Sequence, residues 1–223
     1  VRSRLPARQG LAADDSLAAA AEALLAAAER EDSVFAAHCA ADRARLAAIR
    51  AARAARAADY FAAHAAQWDR LRALLCDPLQ VESALLGALG GDLGRVLDIG
   101  TGTGRIAELL LDRAAHVTAL DRSPDMLALA RVRLQDSPTE RVELVQGDFT
   151  ALPFADAAFD TVTLHQVLHY AQAPERALDE AARVTREGGR IAIVDLASHE
   201  REELRTVHAH VRLGFGDETM DQM

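Results

Sequence analysis

The chain has 223 residues, half of them hydrophobic but only 4% aromatic, which suits one α/β domain, or a smaller domain with an added helical segment, and excludes a large multidomain enzyme. All 25 basic residues are Arg, with no Lys and no Asn anywhere, so a phosphate-loop lysine, a Schiff-base lysine and an N-glycosylation acceptor are excluded. The formal net charge of -9 and the two isolated cysteines disfavour general wrapping of nucleic acid and a disulfide framework, and point to a reducing cytoplasm.

Residues 11–77 contain neither Gly nor Pro and are rich in Ala, Arg, Leu and Glu, all strong helix formers. Asp14, Asp15 and Ser16 are placed to cap a first helix over 17–30, and Asp32 or Ser33 to start a longer one over 32–75 that Pro78 ends. Large side chains such as Phe35, Leu46, Ile49 and Trp68 are sparse there, so the segment buries only a thin stripe. It reads either as a dimerisation helix or as an Ala-rich helix packed on its own domain. The cluster Arg43, Arg45, Arg50, Arg53 and Arg56 reads as a solvated face. Charge divides unevenly: residues 1–94 carry 11 Arg against 12 acids, and 95–223 carry 14 against 22, so the two parts are expected to differ in role. The apolar stretches are interrupted by charge every few residues, short of the ~20 residues a membrane span needs.

A short helix over 78–89 leads to the turn-rich run Gly90 to Gly94, after which short apolar runs alternate with amphipathic segments. Strands are expected over 95–99, 116–120, 141–145, 159–164 and 190–196, each short enough to be buried in a parallel sheet. Helices over 104–113, 124–134 and 174–186 separate them, the last two with Pro in the first turn. This rhythm predicts an α/β fold with a doubly wound, mostly parallel sheet of about five strands over 78–223, behind an all-helical segment over 1–77.

The run Val96-Leu97-Asp98-Ile99-Gly100-Thr101-Gly102-Thr103-Gly104 is a hydrophobic strand entering a glycine-rich turn that opens a helix. Glycines there let a ligand lie on the backbone, and the free N–H groups of the helix start favour a carboxylate or a phosphate. A dinucleotide fingerprint needs G-x-G-x-x-G, whereas the third glycine falls at 104 and Arg105 follows, which disfavours a nicotinamide-dependent dehydrogenase. Asp121 closes the second strand where an acid can accept both hydroxyls of a ribose. Gly147-Asp148-Phe149 follows the third strand, with Asp148 suited to an exocyclic amine and Phe149 offering a flat apolar face. In an open α/β sheet these strand ends meet at one crevice.

On these residues the sequence resembles the class I S-adenosylmethionine-dependent methyltransferases. The first motif matches over Asp98 to Gly104. Further matches come over Ala119 to Met126, Gly147 to Phe149, Phe159 to Leu164, and Ala182 to Arg190, in that order, across roughly residues 78–213. The resemblance implies a Rossmann-like class I fold and S-adenosyl-L-methionine as cofactor. Gly100 and Gly102 then back the methionine moiety, Asp121 holds the ribose, Met126 and Phe149 sandwich adenine, Asp148 binds its amine, and Leu164 and His165 line the sulfonium side. Asp98, Thr101, Arg122 and Gly147 complete the implied cofactor set. Glu187 departs from the Pro that usually precedes the two glycines at 188 and 189 in that family.

A narrower resemblance, to bacterial ArsR-type regulators fused to a methyltransferase, rests on the runs 42–50, 60–64 and 68–72, together with 164–170 and 208–215. It implies an upstream winged-helix DNA-binding domain, of which residues 1–10 would be a remnant. The 28 residues after Asp195 are too few for the usual last helix and two strands, so a fragment at both ends is expected.

Taken together, the chain reads as a methyltransferase acting on a small-molecule acceptor, in the cytoplasm, with no membrane partner. A homodimer through the amino-terminal helices is expected, and DNA contact only through an upstream winged helix. The rival reading is the ligand-sensing domain of an ArsR-type regulator. Methyl transfer needs alignment more than acid–base groups; where a proton must leave a hydroxyl, His165 is the candidate base. His165, His169 and Asp195 are conceivable metal ligands, but a pocket-lining His165 and a structural His169 are preferred. Cys39 and Cys76 read as buried free thiols.

Overall fold

The computed structural model describes residues 14–73 and 76–223. The expected remnant over 1–10, the side chains of Asp14, Asp15 and Ser16, and the helix end at 75 lie outside the described residues. Two compact units divide the chain, Val1–Ala55 and Arg56–Met223.

Helix α1 (Asp14–Glu31) is followed by α2 (Ser33–His64). Between them Asp32 caps the start of α2, its Oδ1 accepting from Val34 N at 2.8 Å and Phe35 N at 3.0 Å. The helix expected to run on to 75 stops at His64. A 3-10 turn, Ala65–Gln67, and a separate α3 (Trp68–Ala73) come next. Nothing in the local composition breaks it; tertiary packing does. Ala65 is buried, and Phe61 meets both Trp68 and Tyr170 edge to face, with ring centroids 5.3 and 5.0 Å apart. These contacts place residues 56–73 with the α/β unit, so the two units divide at 55/56 and not at the expected 77/78.

Helix α4 (Pro78–Leu89) begins where expected, with Pro78 in its first turn and Asp77 Oδ1 accepting from Leu79 N at 3.0 Å. Then come β1 (Gly94–Ile99), α5 (Arg105–Leu110), β2 (Ala114–Asp121), α6 (Pro124–Arg133), β3 (Val142–Gln146), β4 (Phe159–His165), α7 (Pro174–Val184) and β5 (Thr185–Val194). Short helices α8 (Glu202–Val207) and α9 (Asp217–Gln222) end the chain. The five strands form one sheet in the order β3-β2-β1-β4-β5, and every pairing is parallel.

Successive residues along a strand face opposite ways, and the central strands use both faces. Val96, Val117 and Ala119 feed a layer with Leu85, Ile106 and Leu110. Leu97, Ile99, Leu120, Val162 and Leu164 feed the opposite layer with Ala177, Ala181 and Val184 of α7. Burial on both sides explains why these strands read as continuous apolar runs. Buried threonines on β4 find partners: Thr161 Oγ1 donates to Leu93 O at 2.9 Å.

The main departure is at β5, which begins at Thr185 instead of 190 and takes residues from the expected helix end. Pairing jumps from Phe159 opposite Thr185 to Thr161 opposite Arg190, a bulge that accommodates Glu187 to Gly189. Gly188 has φ +71°, and a Cβ on Gly189 would sit 2.9 Å from Asp160 O. The two glycines serve the turn without the family's proline.

Candidate functional site

The chain winds outward from β1 through β2 to β3, then returns to β4 on the other side, so the order reverses between β1 and β4. Ligand crevices of open α/β sheets lie at such a reversal, beyond the carboxyl ends of the strands. The glycine hairpin sits there. Gly100 has φ +69°, and an added Cβ would fall 2.4 Å from Val167 Cγ2, so both backbone conformation and space demand glycine. Gly104, at φ +81°, caps α5 in a left-handed conformation, and its Cβ would lie 3.1 Å from the Ala130 Cβ. Arg105, which breaks the dinucleotide spacing, has a structural duty. Its Nε and Nη2 donate to the two carboxylate oxygens of buried Glu82 at 2.8 and 2.6 Å, tying α4 to the hairpin.

Asp121 joins the strand ends. Its Oδ2 accepts from Gly102 N and its Oδ1 from Ser123 N, both at 2.8 Å. Its carbonyl accepts from Gly147 N at 3.0 Å. Burial raises its pKa against the backbone N–H groups of Ser123, Gly102 and Arg122, which favour the ionised form. Asp98 is deeper. Its Oδ1 accepts from Thr163 Oγ1 at 2.8 Å, whereas Oδ2 and the Thr101 hydroxyl make no hydrogen bond among the described residues. Burial, opposed by the nearby Thr101 hydroxyl and by the hydrogen bond from Thr163, pushes the Asp98 pKa up to about 6.

The other expected site residues lie around this junction or in the layers beneath it. Asp148 Oδ1 accepts from Thr150 N at 2.8 Å and Thr150 Oγ1 at 2.7 Å. Phe149 packs against the core layer of Leu120 and Leu164. Met126 and Leu164 are buried, and Arg122 offers its carbonyl to Gln146 Nε2 at 3.3 Å. His165, at the end of β4, has no hydrogen bond to either ring nitrogen among the described residues. Burial, then the charge of Arg72, lowers its pKa to about 4.

The amino-terminal stretch contributes to the same region. Asp69 of α3 accepts from Thr103 Oγ1 at 2.7 Å and from Arg133 of α6. Burial opposes ionisation of Asp69, but Arg133 and Thr103 outweigh it and hold its pKa below the ordinary value. The Trp68 indole lies over the hairpin, 3.4 Å from where a Gly102 Cβ would be.

Two cavities open here. The smaller, about 10 Å³, is lined by Cys76, Val81, Glu82 and His165 together with Arg72 and Gln166. The larger, about 80 Å³, shares Arg72 and Gln166 and adds Trp68, His169, Tyr170 and His210 among its walls. At its back His169 Nδ1 bonds Asp195 Oδ1 at 2.6 Å. Asp195 also accepts from Leu168 N and Leu196 N, both at 2.8 Å. Burial opposes the charge on Asp195, but its bond to His169 and these N–H groups lower its pKa overall. His169 Nε2 is buried and makes no hydrogen bond among the described residues. His210 stacks on His169 at 4.2 Å, and burial first, then neighbouring imidazoles, lowers its pKa to about 3. Sequence reasoning did not foresee the His169–Asp195 pair as a dyad or Arg72 as a wall. The available signals were an acid just past the fifth strand and a His four residues after His165.

A glycine hairpin tied to an acid at the next strand end, at the reversal point of an all-parallel five-stranded sheet, is the architecture of the Rossmann-like class I methyltransferases. Residues 97–193 match the family model described as a methyltransferase domain. The chain is 38% identical over 123 residues to demethylmenaquinone methyltransferase of Renibacterium salmoninarum, covering 55% of this chain and 49% of that protein. It is 41% identical over 115 residues to phosphatidylethanolamine N-methyltransferase of Cereibacter sphaeroides, covering 51% and 56%. Among solved structures it resembles the YcgJ protein of Bacillus subtilis, with a TM-score of 0.58 at 26% identity, covering 64% of this chain and 65% of that one. It also resembles an SAM-dependent methyltransferase of Aquifex aeolicus, with a TM-score of 0.51 at 25% identity, covering 62% and 76%. The chain spans about half the length of the curated relatives it matches.

Proposed function

We propose that the chain is an S-adenosylmethionine-dependent methyltransferase that transfers a methyl group to a small-molecule acceptor. The observation that carries this reading is the junction at Asp121, where one residue receives the N–H groups of Gly102 and Gly147 and so draws three strand ends into one crevice. When bound, S-adenosylmethionine supplies an electrophilic methyl carbon on a positively charged sulfur, and direct displacement leaves S-adenosylhomocysteine.

The residues present fit that cofactor. Each Asp121 oxygen keeps lone pairs beyond its backbone bond, enough to accept from ribose hydroxyls. Asp98 Oδ2, buried and without a partner among the described residues, suits an ammonium group. Asp148 would receive the adenine amine, with Met126 and Phe149 about the ring, and Leu164 and His165 would line the sulfonium side. Gly100, Gly102 and Gly147 carry no side chain toward the cofactor, with Thr101 between the first two and Arg122 at the ribose edge.

For an acceptor that must lose a proton, the proposed base is His169, in place of His165. An imidazole with a pKa of about 4 holds a proton poorly at neutral pH. His169, a wall of the larger cleft, donates its Nδ1 proton to Asp195, which leaves the buried Nε2 as the acceptor and stabilises the imidazolium that forms. Parallel calorimetric titrations with S-adenosylhomocysteine and NAD test the reading: the first is expected to bind and the second not, and binding of NAD alone overturns it.

We further propose self-association through α1 and α2, where Leu24, Leu25, Leu46 and Ile49 are exposed; sedimentation of the chain as a monomer at all concentrations would remove this. In an ArsR-type fusion, DNA contact would belong to a winged-helix segment upstream, and a DNA-binding assay on the full gene product tests that arrangement. Cys39 and Cys76 are free, in keeping with a cytoplasmic setting.

A further inference from the structure

The larger cleft has one-sided electrostatics. Among the described residues two guanidiniums, Arg72 and Arg201, face it and no carboxylate does. Its other titratable walls are phenols and imidazoles. Burial holds Tyr60 and Tyr170 protonated and His210 neutral; Tyr60 Oη pairs with His208 Nδ1 at 2.7 Å, and His169 with Asp195. An ammonium acceptor would meet only positive charge here, with no acid to desolvate against. A flat, acidic acceptor meets aromatic faces and cations.

Arg72 is the residue to watch. It is half-buried, lines both cavities, and makes no hydrogen bond or ion pair with any described residue. The carboxylates that feel its charge, Asp69, Glu82 and Asp98, are each already bonded elsewhere, to Arg133, to Arg105 and to Thr163. Arg201 is different, since its Nε already serves Glu203 at 2.7 Å. Five guanidinium N–H donors are thus left at the junction where the His165 end of the cofactor crevice meets the acceptor cleft.

We propose that Arg72 selects an acceptor bearing an acidic hydroxyl on a planar ring, a phenol or an enol of that kind, and holds its oxygen as the oxyanion while His169 takes the proton. This rests on the methyltransferase reading above. The acceptor O–H proton passes to His169 Nε2. The oxygen lone pair forms the new O–CH3 bond as the bond from that methyl to sulfur breaks, and the electron pair of the broken bond stays on sulfur. Arg72 supplies no proton; it lowers the cost of the negative oxygen before attack.

The test uses the whole chain and 4-nitrophenol, whose phenolate is read by its own visible absorbance. Trp68, the single tryptophan, lines the cleft and reports occupancy by quenching. The parent chain, with S-adenosylhomocysteine present, is expected to bind 4-nitrophenol and to shift its ionisation to lower pH, and ethanolamine is expected not to displace it. Arg72→Gln should weaken binding about tenfold or more, as befits a lost hydrogen bond to a charged oxygen, and abolish the shift. Should that variant fail to fold, Arg72→Lys carries the test: charge kept and fork lost, it should bind severalfold more weakly and retain the shift. No binding to the parent, displacement by ethanolamine, Arg72→Gln binding with parental affinity, or Arg72→Lys with parental affinity or without the shift overturns the proposal. S-adenosylhomocysteine failing to bind in calorimetry sinks the cofactor reading instead, and phenolate binding without it is scored separately.

Discussion

Replacing Asp195 by Asn changes one atom in a fully packed place, and the hydrogen bonds around it fix the outcome. Asp195 Oδ1 accepts from His169 Nδ1 at 2.6 Å and from Leu196 N at 2.8 Å, while Oδ2 accepts from Leu168 N at 2.8 Å. Asn has one acceptor oxygen. Turned one way it keeps His169 and Leu196 but sets its amide hydrogens against Leu168 N–H. Turned the other way it satisfies Leu168 and presents N–H to His169 Nδ1, which forces the ring proton onto Nε2 and removes that atom's lone pair. The first arrangement still loses the charge that stabilises the imidazolium, a term of roughly 1.5–3 kcal/mol for a hydrogen bond to a charged group. The turnover number with a hydroxyl acceptor should therefore fall about tenfold if the first arrangement persists, and a hundredfold or more if the second wins. Affinity for S-adenosylhomocysteine should hold, because Asp195 lies behind His169 and away from the Asp121 junction. Steady-state rates across pH, beside calorimetry with the homocysteine product, make the measurement. Turnover within twofold of the parent at every pH would refute the role of the dyad.

Three other outcomes are expected. Gly100→Ala brings a Cβ to 2.4 Å from Val167 at φ +69°; it should destabilise by about 1–3 kcal/mol and abolish binding of S-adenosylhomocysteine, and an unchanged denaturant midpoint would count against it. Glu82→Ala removes the buried partner of Arg105 and leaves it only Glu108, at 3.1 Å, and since Arg105 is one-third exposed the cost should be about 1–3 kcal/mol instead of the larger figure for a fully buried pair, seen in urea unfolding. Acid should destabilise the fold through His165 and His210, whose folded pKa values of about 4 and about 3 lie below the ordinary 6.5. Their stabilisation is complete above pH 6.5 and is lost as pH falls through those values. Asp98, raised to about 6 from 3.8, works the other way, its contribution present below 3.8 and lost as pH rises through 6. Asp121, also raised, adds to Asp98, whereas the lowered carboxyls of Asp69, Glu82 and Asp195 act with the histidines, so the melting temperature should rise from pH 4 to 6.5, and a flat or falling trend in calorimetric scans refutes the balance.

The parallel sheet was legible because β1, β2 and β4 are buried on both faces and draw on short runs of aliphatic and β-branched residues, and because Pro78, Pro124 and Pro174 mark helix starts with little ambiguity. The glycine hairpin was legible for a local reason too: positive φ at 100, 102 and 104 leaves a mark that composition cannot hide. What escaped reading was non-local. The break after His64 answers to Tyr170, far along the chain. The start of β5 depends on a bulge against Phe159. The dyad joins residues 26 apart in sequence, and Arg72 looks like any other arginine on an Ala-rich helix until the cleft is formed around it.

The hairpin is braced from outside the segment that matches the methyltransferase family. Asp69 grips Thr103 and Glu82 grips Arg105, yet both precede residue 97, while Asp195 falls two residues beyond 193. A chimera that transplants only the matched stretch would leave behind the larger cleft's walls from Tyr60 to Arg72 and from Arg201 to His210, so any recombination meant to carry that cleft has to begin before Tyr60 and end after His210.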